Sequence, residues 1–237
     1  ISAVNSLSAT AGRDLNIQTT TQSTQTAMGS RTAIDRVAGL YVSGSNGTLV
    51  ASAGRDLNIV AGVVSNAGNG ATSLSAGNNF TLAAVKTSDQ LDVVWNANNY
   101  NKSSSSTDVG SAIASGGNTT LQAGQTLKAT AASVQATGAL SVNATDVNIQ
   151  SGQATQASDQ ARQTTNKGFL SSTTITTRDT SSSTTAVASS FGGNTVDITA
   201  SKDINIKGSN VISDGIAGAT GAGTTLTAGG NVNIEAA

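Results

Sequence analysis

The chain has 237 residues, of which 37% are hydrophobic and 3% aromatic, and it contains no proline, cysteine or histidine. Its formal net charge is −1, from 12 basic and 13 acidic residues that do not cluster, which argues against a nucleic-acid or anionic-membrane partner. Without cysteine there is no disulfide framework, and without histidine there is no Ser-His-Asp site. The low aromatic content argues against an ordinary globular core.

No apolar run approaches the roughly 20 residues that a membrane helix requires. The chain starts at Ile1 in the middle of a repeating pattern, without the charged and apolar regions of a signal peptide. We therefore expect it to be a segment of a longer protein.

A short motif recurs, in which a small or polar corner precedes apolar, polar and apolar residues. Residues 11–17 and 53–59 are identical (AGRDLNI), and looser copies occupy 76–82, 123–129, 145–149, 200–206 and 228–234. The alternation predicts a short strand with one buried face. We expect the corner glycine to provide a turn with positive φ. Because so short a strand buries little alone, the copies must stack on one another.

In chain order, the strand pattern is interrupted three times, over 18–46, 83–116 and 150–192. In the third excursion, Leu170–Thr177 and Thr180–Val187 alternate threonine with apolar residues, which predicts a β-hairpin. The second excursion alternates more weakly, and the first lacks this pattern. The modules are approximately 1–82, 83–149 and 150–237, each holding about two coils of about 20 residues.

These observations predict an all-β fold, a parallel β-helix over 1–237 with hairpin or loop excursions and about six or seven coils. The expected inward-facing residues are Leu15, Ile17, Leu57, Ile59, Phe80, Leu82, Val147, Ile149, Val196, Ile198, Ile204, Ile206, Val232 and Ile234.

The glycine corners, the Leu-Asn-Ile strands and the run KGFLSSTTITTRDTSSSTTAV from Lys167 to Val187 resemble the haemagglutinin repeats of filamentous haemagglutinin-like exoproteins. They are especially similar to the second repeat region of contact-dependent growth inhibition effectors. The resemblance is closest over Lys167–Ile234, and the first module departs from it most.

The resemblance implies a right-handed parallel β-helix, exported by an outer-membrane two-partner-secretion transporter to the surface of a Gram-negative bacterium. The parent would be a secreted virulence filament. Its partner would be a target-cell surface or outer membrane, to which it adheres or delivers a C-terminal toxin. The missing cysteines fit a chain that crosses the oxidising periplasm unfolded.

Carboxylates recur in front of the strands, at Asp14, Asp56, Asp146 and Asp203. They could form a calcium ladder or a row of lyase carboxylates, or they could be turn residues that bond nearby backbone. The turn interpretation is favoured because Asn79 and Thr126 occupy equivalent positions. The strand-centre asparagines should face outward and could stack as a ladder: Asn16, Asn58, Asn148, Asn205 and Asn233.

Tyr41, Trp95 and Tyr100 lie in the predicted excursions. They could pack the excursions onto the solenoid wall, or they could form a surface contact for a glycan or another partner. No catalytic, cofactor-binding or metal site is predicted, and no small-molecule substrate.

The leading functional hypothesis is a non-enzymatic shaft segment of an adhesin or toxin-delivery filament, whose excursions make any contact with a target. A β-helical polysaccharide lyase or hydrolase is one alternative, and it needs carboxylates that converge on one wall. An ice-binding solenoid is another, and it needs an unbroken rank of threonines. The residues equivalent to Leu49 are Thr119 and Val196, so that rank is not maintained.

Overall fold

The computed structural model describes residues 1–214 and 223–237, and within these ranges all regular secondary structure is β-strand. The chain winds through seven coils, each of which places one strand in each of three sheets, called here sheets A, B and C in chain order. No helix in the described ranges has the length and hydropathy needed to span a membrane.

The first three coils run from the N-terminus to residue 83. They comprise β1 (Ser2–Ala3), β2 (Ser6–Ala11) and β3 (Leu15–Gln18), then a hairpin of β4 (Thr20–Thr26) and β5 (Gly29–Arg36), then β6 (Gly39–Val42), β7 (Thr48–Ala53), β8 (Leu57–Val60), β9 (Val63–Asn66), β10 (Thr72–Ala76) and β11 (Phe80–Ala83). A second hairpin follows, of β12 (Val85–Asn96) and β13 (Asn99–Val109).

The last four coils contain the third hairpin between their second and third members. They comprise β14 (Ala112–Ser115), β15 (Thr119–Ala123), β16 (Thr126–Thr130), β17 (Ser133–Ala136), β18 (Ala139–Ala144) and β19 (Asp146–Gln150), then the hairpin of β20 (Gly152–Lys167) and β21 (Ser172–Val187), then β22 (Ser190–Gly193), β23 (Thr195–Ala200), β24 (Ile204–Lys207), β25 (Asn210–Ser213), β26 (Thr224–Ala228) and β27 (Val232–Glu235).

Sheets A, B and C each contain seven parallel strands in coil order, so the predicted parallel β-helix is confirmed. In sheet C, Phe80 lies beside Leu57 on one side and Leu127 on the other. At about 4.8 Å per strand, seven coils give a solenoid about 30 Å long. Apolar residues at equivalent positions of successive coils thus stack into columns, which run through the parallel strands of each sheet.

The core is a single aliphatic stack with two phenylalanines, Phe80 and Phe191. Most of the predicted inward residues are buried: Ile17, Leu57, Ile59, Phe80, Leu82, Val147, Ile149, Val196, Ile198, Ile204 and Ile206. Leu15, in the first coil, is half-buried.

The prediction was wrong for Val232 and Ile234, which are 43% and 67% exposed. They continue the buried columns, since they lie in register with Ile204 and Ile206. Strand β27 pairs with β24 only, at the end of sheet C, so the two side chains have a neighbouring coil on one side alone.

The corner glycines serve a different purpose from the one predicted. Among the described glycines only Gly29 and Gly208 have positive φ, and neither belongs to the repeated corner. At Gly54, a Cβ atom would lie 2.2 Å from the carbonyl oxygen of Gly12 in the coil before it. Where the corner carries glycine, the backbones of successive coils approach too closely for a Cβ atom, while Ser201 takes the same position in the sixth coil.

The turn from sheet C back to sheet A uses left-handed backbone in the second, fourth and sixth coils. The residues are Ala61 (φ 46°), Ala131 (φ 51°) and Gly208 (φ 55°). An alanine in this conformation is strained by about 1–2 kcal/mol. In the first, third and fifth coils a hairpin leaves the solenoid at this same corner.

Each hairpin lies within one of the expected excursions, 18–46, 83–116 and 150–192, but is shorter. The predicted strands of the third hairpin were wrong: Leu170–Thr177 and Thr180–Val187 fall almost entirely in one strand, β21, whose partner is the more polar β20. The strands β6, β14 and β22 near the end of each range belong to sheet A. Tyr41 is consequently a residue of the solenoid wall.

Candidate functional site

The three hairpins form one six-stranded antiparallel sheet, called here the hairpin sheet, with the order β21-β20-β13-β12-β5-β4. Residues 29–32 of β5 pair with 88–91 of β12, and residues 100–107 of β13 pair with 154–161 of β20. At the first junction a Cβ on Gly29, whose φ is 154°, would lie 1.9 Å from the carbonyl oxygen of Gln90. Glycine thus permits the close approach of β12 to the hairpin tip.

The spacing of the hairpins along the solenoid explains why they can pair. A hairpin leaves every second coil, after β3, β11 and β19. Two coils rise by about 9.6 Å, which is also the width of two hydrogen-bonded strands at about 4.8 Å each. One hairpin per two coils therefore fills a continuous sheet without a gap or an overlap.

The hairpin sheet has no hydrophobic core of its own in the described structure. Strand β21 is exposed along its whole length except at half-buried Val187. Cross-strand hydroxyl pairs support the backbone ladder, as between Ser106 and Thr155 (2.8 Å) and between Ser158 and Ser181 (3.1 Å). The hairpin sheet is thus a solvent-exposed surface rich in serine and threonine and is not a second packed layer.

A polar cluster joins the second hairpin to the third. The phenol of Tyr100 donates to Asp159 (3.0 Å), and Arg178 donates to both oxygens of the same carboxylate, at 2.9 and 2.7 Å. The hydrogen bond from Arg178 lowers the pKa of Asp159 below its ordinary value. Partial burial and the hydrogen bond to Asp159 raise the pKa of Tyr100, and the same carboxylate raises the pKa of Arg178. Lys102 lies 5.8 Å from the centre of the Tyr100 ring.

The tips of the hairpins carry exposed apolar side chains. Met28, the only methionine, is 59% exposed and Trp95, the only tryptophan, is 71% exposed. Phe169 and Leu170 at the third tip are almost completely exposed. These large apolar groups lie at the ends of strands that are otherwise rich in serine and threonine.

The third hairpin extends beyond its neighbours. Strand β13 pairs with β20 only as far as Ala161, whereas β20 and β21 pair as far as Lys167 and Ser172. The outer part of the third hairpin, residues 162–177, is therefore a two-stranded ribbon, a type of structure with marginal stability in water.

The structure brings two of the three predicted contact residues together. Trp95 and Tyr100 lie on either side of the turn of the second hairpin. Tyr41 lies elsewhere, on β6 of sheet A, where its ring rests against Gly39. A contact role for any of the three remains a prediction.

The corner carboxylates bond the backbone of the following coil. Asp203 accepts from the backbone N–H of Asn231 at 2.7 Å, and Asp56 accepts from that of Asn79 at 3.1 Å. Asp146 and Asp14 make longer contacts of the same kind, both of 3.4 Å. The carboxylates thus bond backbone groups, as the turn interpretation expected, but those of the next coil rather than of their own turn. In the part of the chain that the structure describes, no group of three or more acidic residues is arranged to hold a metal ion.

Two further contacts join coils on the outer surface. Arg55 donates its Nε to Asp14 at 2.7 Å, which lowers the pKa of Asp14 and raises that of Arg55. The predicted asparagine ladder is present in two parts, from Asn58 to Asn16 at 2.9 Å and through Asn148, Asn205 and Asn233 at 2.9 and 2.7 Å. Thr81 and Lys128 occupy the column between the two parts.

Sequence reasoning missed the pairing of the hairpins and, apart from Trp95, the apolar tips. One signal for the tips was present, since the only methionine and the only tryptophan fall near the middle of predominantly polar excursions. Backbone pairing between hairpins leaves no comparable signal.

The model of a family described as a hemagglutinin repeat matches residues 95–235, more than half of the chain. The match runs from the tip of the second hairpin to the last strand of sheet C. No curated protein and no solved structure matches the chain.

Proposed function

The chain belongs to the hemagglutinin repeat family, a family of structural adhesins, and we propose that it is a non-enzymatic shaft segment whose hairpins contact a target surface. The family supports a protein that is secreted or displayed at a bacterial cell surface. In this proposal residues 1–237 are one β-helical segment of a longer exoprotein.

The division of roles follows from the two surfaces. Columns such as Leu57–Phe80–Leu127 hold the solenoid together, so their residues are tied to packing. The hairpin sheet is free of that constraint, since its strands are mostly exposed. The solenoid accordingly acts as a spacer and the hairpin sheet as the contact surface.

The apolar tips carry the proposal. Exposed methionine, tryptophan, phenylalanine and leucine side chains gain free energy when they leave water, at about 25 cal/mol per Å² of apolar surface. Met28, Trp95 and Phe169 lie at three successive tips, each of which extends farther than the one before it, so a target surface that contacts all three lies oblique to the strands. A partner with an accessible apolar layer, such as the outer membrane of a target cell, has the complementary chemistry.

Export and delivery complete the proposal. The family match and the absence of cysteine are compatible with secretion through an outer-membrane two-partner-secretion transporter of a Gram-negative bacterium. Toxin delivery by contact-dependent growth inhibition is the proposed role of the parent protein, in which this segment separates the secreting cell from its target.

The two rival functions have less support. A polysaccharide lyase would need the corner carboxylates free for chemistry, whereas Asp203 and Asp56 accept backbone hydrogen bonds. An ice-binding face would need outward threonines, whereas Thr72 and Thr119 are buried in the column between Leu49 and Leu140.

A truncation of the third hairpin tests the contact role. Residues 162–177 are replaced by an Asn-Gly turn that joins Ala161 to Arg178, which are cross-strand partners. This change removes Phe169 and Leu170 but keeps the whole pairing of β13 with β20. We expect binding to intact target cells and to outer-membrane vesicles to fall while the solenoid stays folded.

Two smaller changes separate the tip from the solenoid, one at the tip and one as its matched control. The double variant Phe169→Ser/Leu170→Ser should weaken binding as the truncation does. Val50→Ser removes an exposed apolar side chain from the solenoid and should leave binding unchanged. Full binding by the folded truncation, or equal losses from the tip and the solenoid variants, would overturn the contact role of the tips.

A further inference from the structure

A groove of about 640 Å³ lies beside the turn of the second hairpin, where β13 meets β20. Its lining includes Trp95, Asn101, Gln160, Arg162 and Asp179. The volume falls within the range of about 300–1,000 Å³ that is typical of ligand sites. Trp95 provides a large apolar surface in an otherwise polar groove.

The polar groups of the groove share one face of the hairpin sheet. Asn101, Gln160 and Asp179 are directly opposite one another across three strands, and Arg162 follows Gln160 by two residues. Because side chains alternate between faces, these groups point to the side opposite the neighbouring row, which holds Tyr100 and Arg178. Tyr100 also borders the groove, but its phenol bonds Asp159, so the Tyr100–Asp159–Arg178 cluster leaves the hydrogen-bonding groups of the other face free.

Arg162 and Asp179 form no ion pair among the described residues, and both are exposed. Arg162 offers guanidinium donors, Asp179 offers carboxylate acceptors, and the Gln160 amide offers both. Their formal charges cancel, so the groove attracts neither strongly anionic nor strongly cationic ligands. Such a set of planar donors and acceptors suits a ligand with several hydroxyl groups.

Other ligand classes fit the groove less well. An extended peptide cannot add to the sheet here, because Tyr100 and Ala161 already pair with each other. A lipid chain would leave Arg162 and Asp179 against an apolar ligand without partners. A nucleic acid would require net positive charge, which the groove lacks.

We propose that this groove binds a neutral pyranose of a cell-surface oligosaccharide, with the apolar face of the sugar ring against Trp95. Gln160, Arg162 and Asp179 bond its hydroxyl groups. This proposal rests on the proposed function, because it names the ligand class for the same contact surface. It differs in placing the specificity in the groove rather than in the apolar tips.

Trp95 makes the proposal directly measurable, because it is the only tryptophan of the chain. The purified segment is titrated with lactose, maltose and N,N′-diacetylchitobiose, with 3′-sialyllactose as an acidic comparison, while tryptophan emission is recorded. We expect a saturable change with at least one neutral disaccharide, in the millimolar range expected for a shallow site.

Variants tie the binding to the groove. Gln160→Ala should weaken it by about three- to tenfold, the effect of losing one ordinary hydrogen bond. Trp95→Ala should abolish binding. Because this variant has no tryptophan, its binding is measured by saturation-transfer NMR instead of fluorescence. Tyr41→Ala, which changes an aromatic residue of the solenoid wall, should leave it unchanged, and circular dichroism checks that each variant is folded.

Three results would overturn the proposal: no saturable change with any neutral sugar, binding of sialyllactose alone, or binding that survives both Trp95→Ala and Gln160→Ala. Its failure is distinct from failure of the contact role. Because the truncation also removes Arg162 of the groove, the tip variant Phe169→Ser/Leu170→Ser separates the two. Sugar binding that persists while this variant still supports full adhesion would reject the role of the tips and leave the groove assignment intact.

Discussion

The phenol of Tyr100 on the second hairpin donates a hydrogen bond to Asp159 on the third at 3.0 Å, although 59 residues separate them in the chain. Arg178, on the far strand of the third hairpin, holds the same carboxylate through two nitrogens. One side-chain cluster thus spans three strands. It supplements a backbone ladder that otherwise joins the hairpins without a hydrophobic core.

Acid should weaken this junction. The hydrogen bond from Arg178 lowers the pKa of Asp159 below the ordinary 3.8. A carboxyl group whose pKa is lower in the folded state stabilises the fold above its unfolded pKa, and the stabilisation is lost as the pH falls through the folded value. We expect urea-unfolding stability to be steady from about pH 8 to pH 5, since the chain has no histidine, and to decline below about pH 4.

The variant Asp159→Asn identifies the source of that decline. It should be less stable than the wild type at pH 7 and should lose less stability on acidification, while Tyr100 and Arg178 remain in place. Arg55 also lowers the pKa of Asp14, so Asp14 should cause part of the stability loss that the Asp159→Asn variant still shows in acid. Identical pH profiles for the two proteins would show that the Asp159 cluster does not contribute.

The corner carboxylates should act through the backbone and not through a metal ion. Asp203→Ala removes the acceptor for the backbone N–H of Asn231 and should cost about 1–2 kcal/mol of unfolding free energy. Asp203→Asn should be nearly neutral, because it keeps an acceptor oxygen and Asn79 occupies the equivalent corner. Thermal unfolding with and without a chelator should coincide, and a lower melting temperature with the chelator would support a calcium ladder instead.

The two faces of a sheet C strand should respond differently to the same carboxylate. Ile204 is completely buried, so Ile204→Asp should cost more than about 3 kcal/mol, because an unpaired charge enters the aliphatic stack. Asn205→Asp should cost about 1 kcal/mol, because it removes the amide donor to Asn148. Denaturant titrations give both values, and similar losses would show that the assigned facing is wrong.

The left-handed corners offer a test of backbone strain. Ala131→Gly relieves a φ of 51° but also removes a buried methyl group. Ala132→Gly removes a buried methyl group without relieving such strain. We expect Ala131→Gly to be at least about 1 kcal/mol less destabilising than Ala132→Gly in urea titrations. Equal losses would argue against a strained corner.

The solenoid was largely predictable because the stacking of coils requires apolar residues at regularly repeated positions of the sequence. Inward positions such as Leu57 and Phe80 alternate with polar ones, and the alternation recurs in each coil. The role of the corner glycines was not predictable in the same way. A glycine required by close approach of another coil and one required by positive φ look identical in sequence.

The hairpin sheet was only partly predictable. Strand β4 is exposed on both faces and consists of threonine, glutamine and serine, so no apolar alternation marks it as a strand. Pairing between β5 and β12 uses backbone groups that every residue type other than proline provides. The partner of each hairpin is therefore set by the two-coil spacing, which becomes visible only when the coils are counted in the structure.

Disulfide cross-linking can show whether the hairpins form one continuous sheet, because the chain has no cysteine of its own. Ser104→Cys/Ala157→Cys and Ser30→Cys/Gln90→Cys place cysteines on cross-strand partners at the two junctions. Antiparallel partners lie about 4.5–5.5 Å apart between Cα atoms, within the range for a disulfide. Ser104→Cys/Ser182→Cys, two strands apart at about 10 Å, is the matched control.

We predict that mild oxidation closes the disulfide in both junction variants of the folded segment and leaves the control pair reduced. Failure of both junction pairs to close, or equal closure of the control pair, would contradict a single hairpin sheet and leave three independent hairpins on the solenoid.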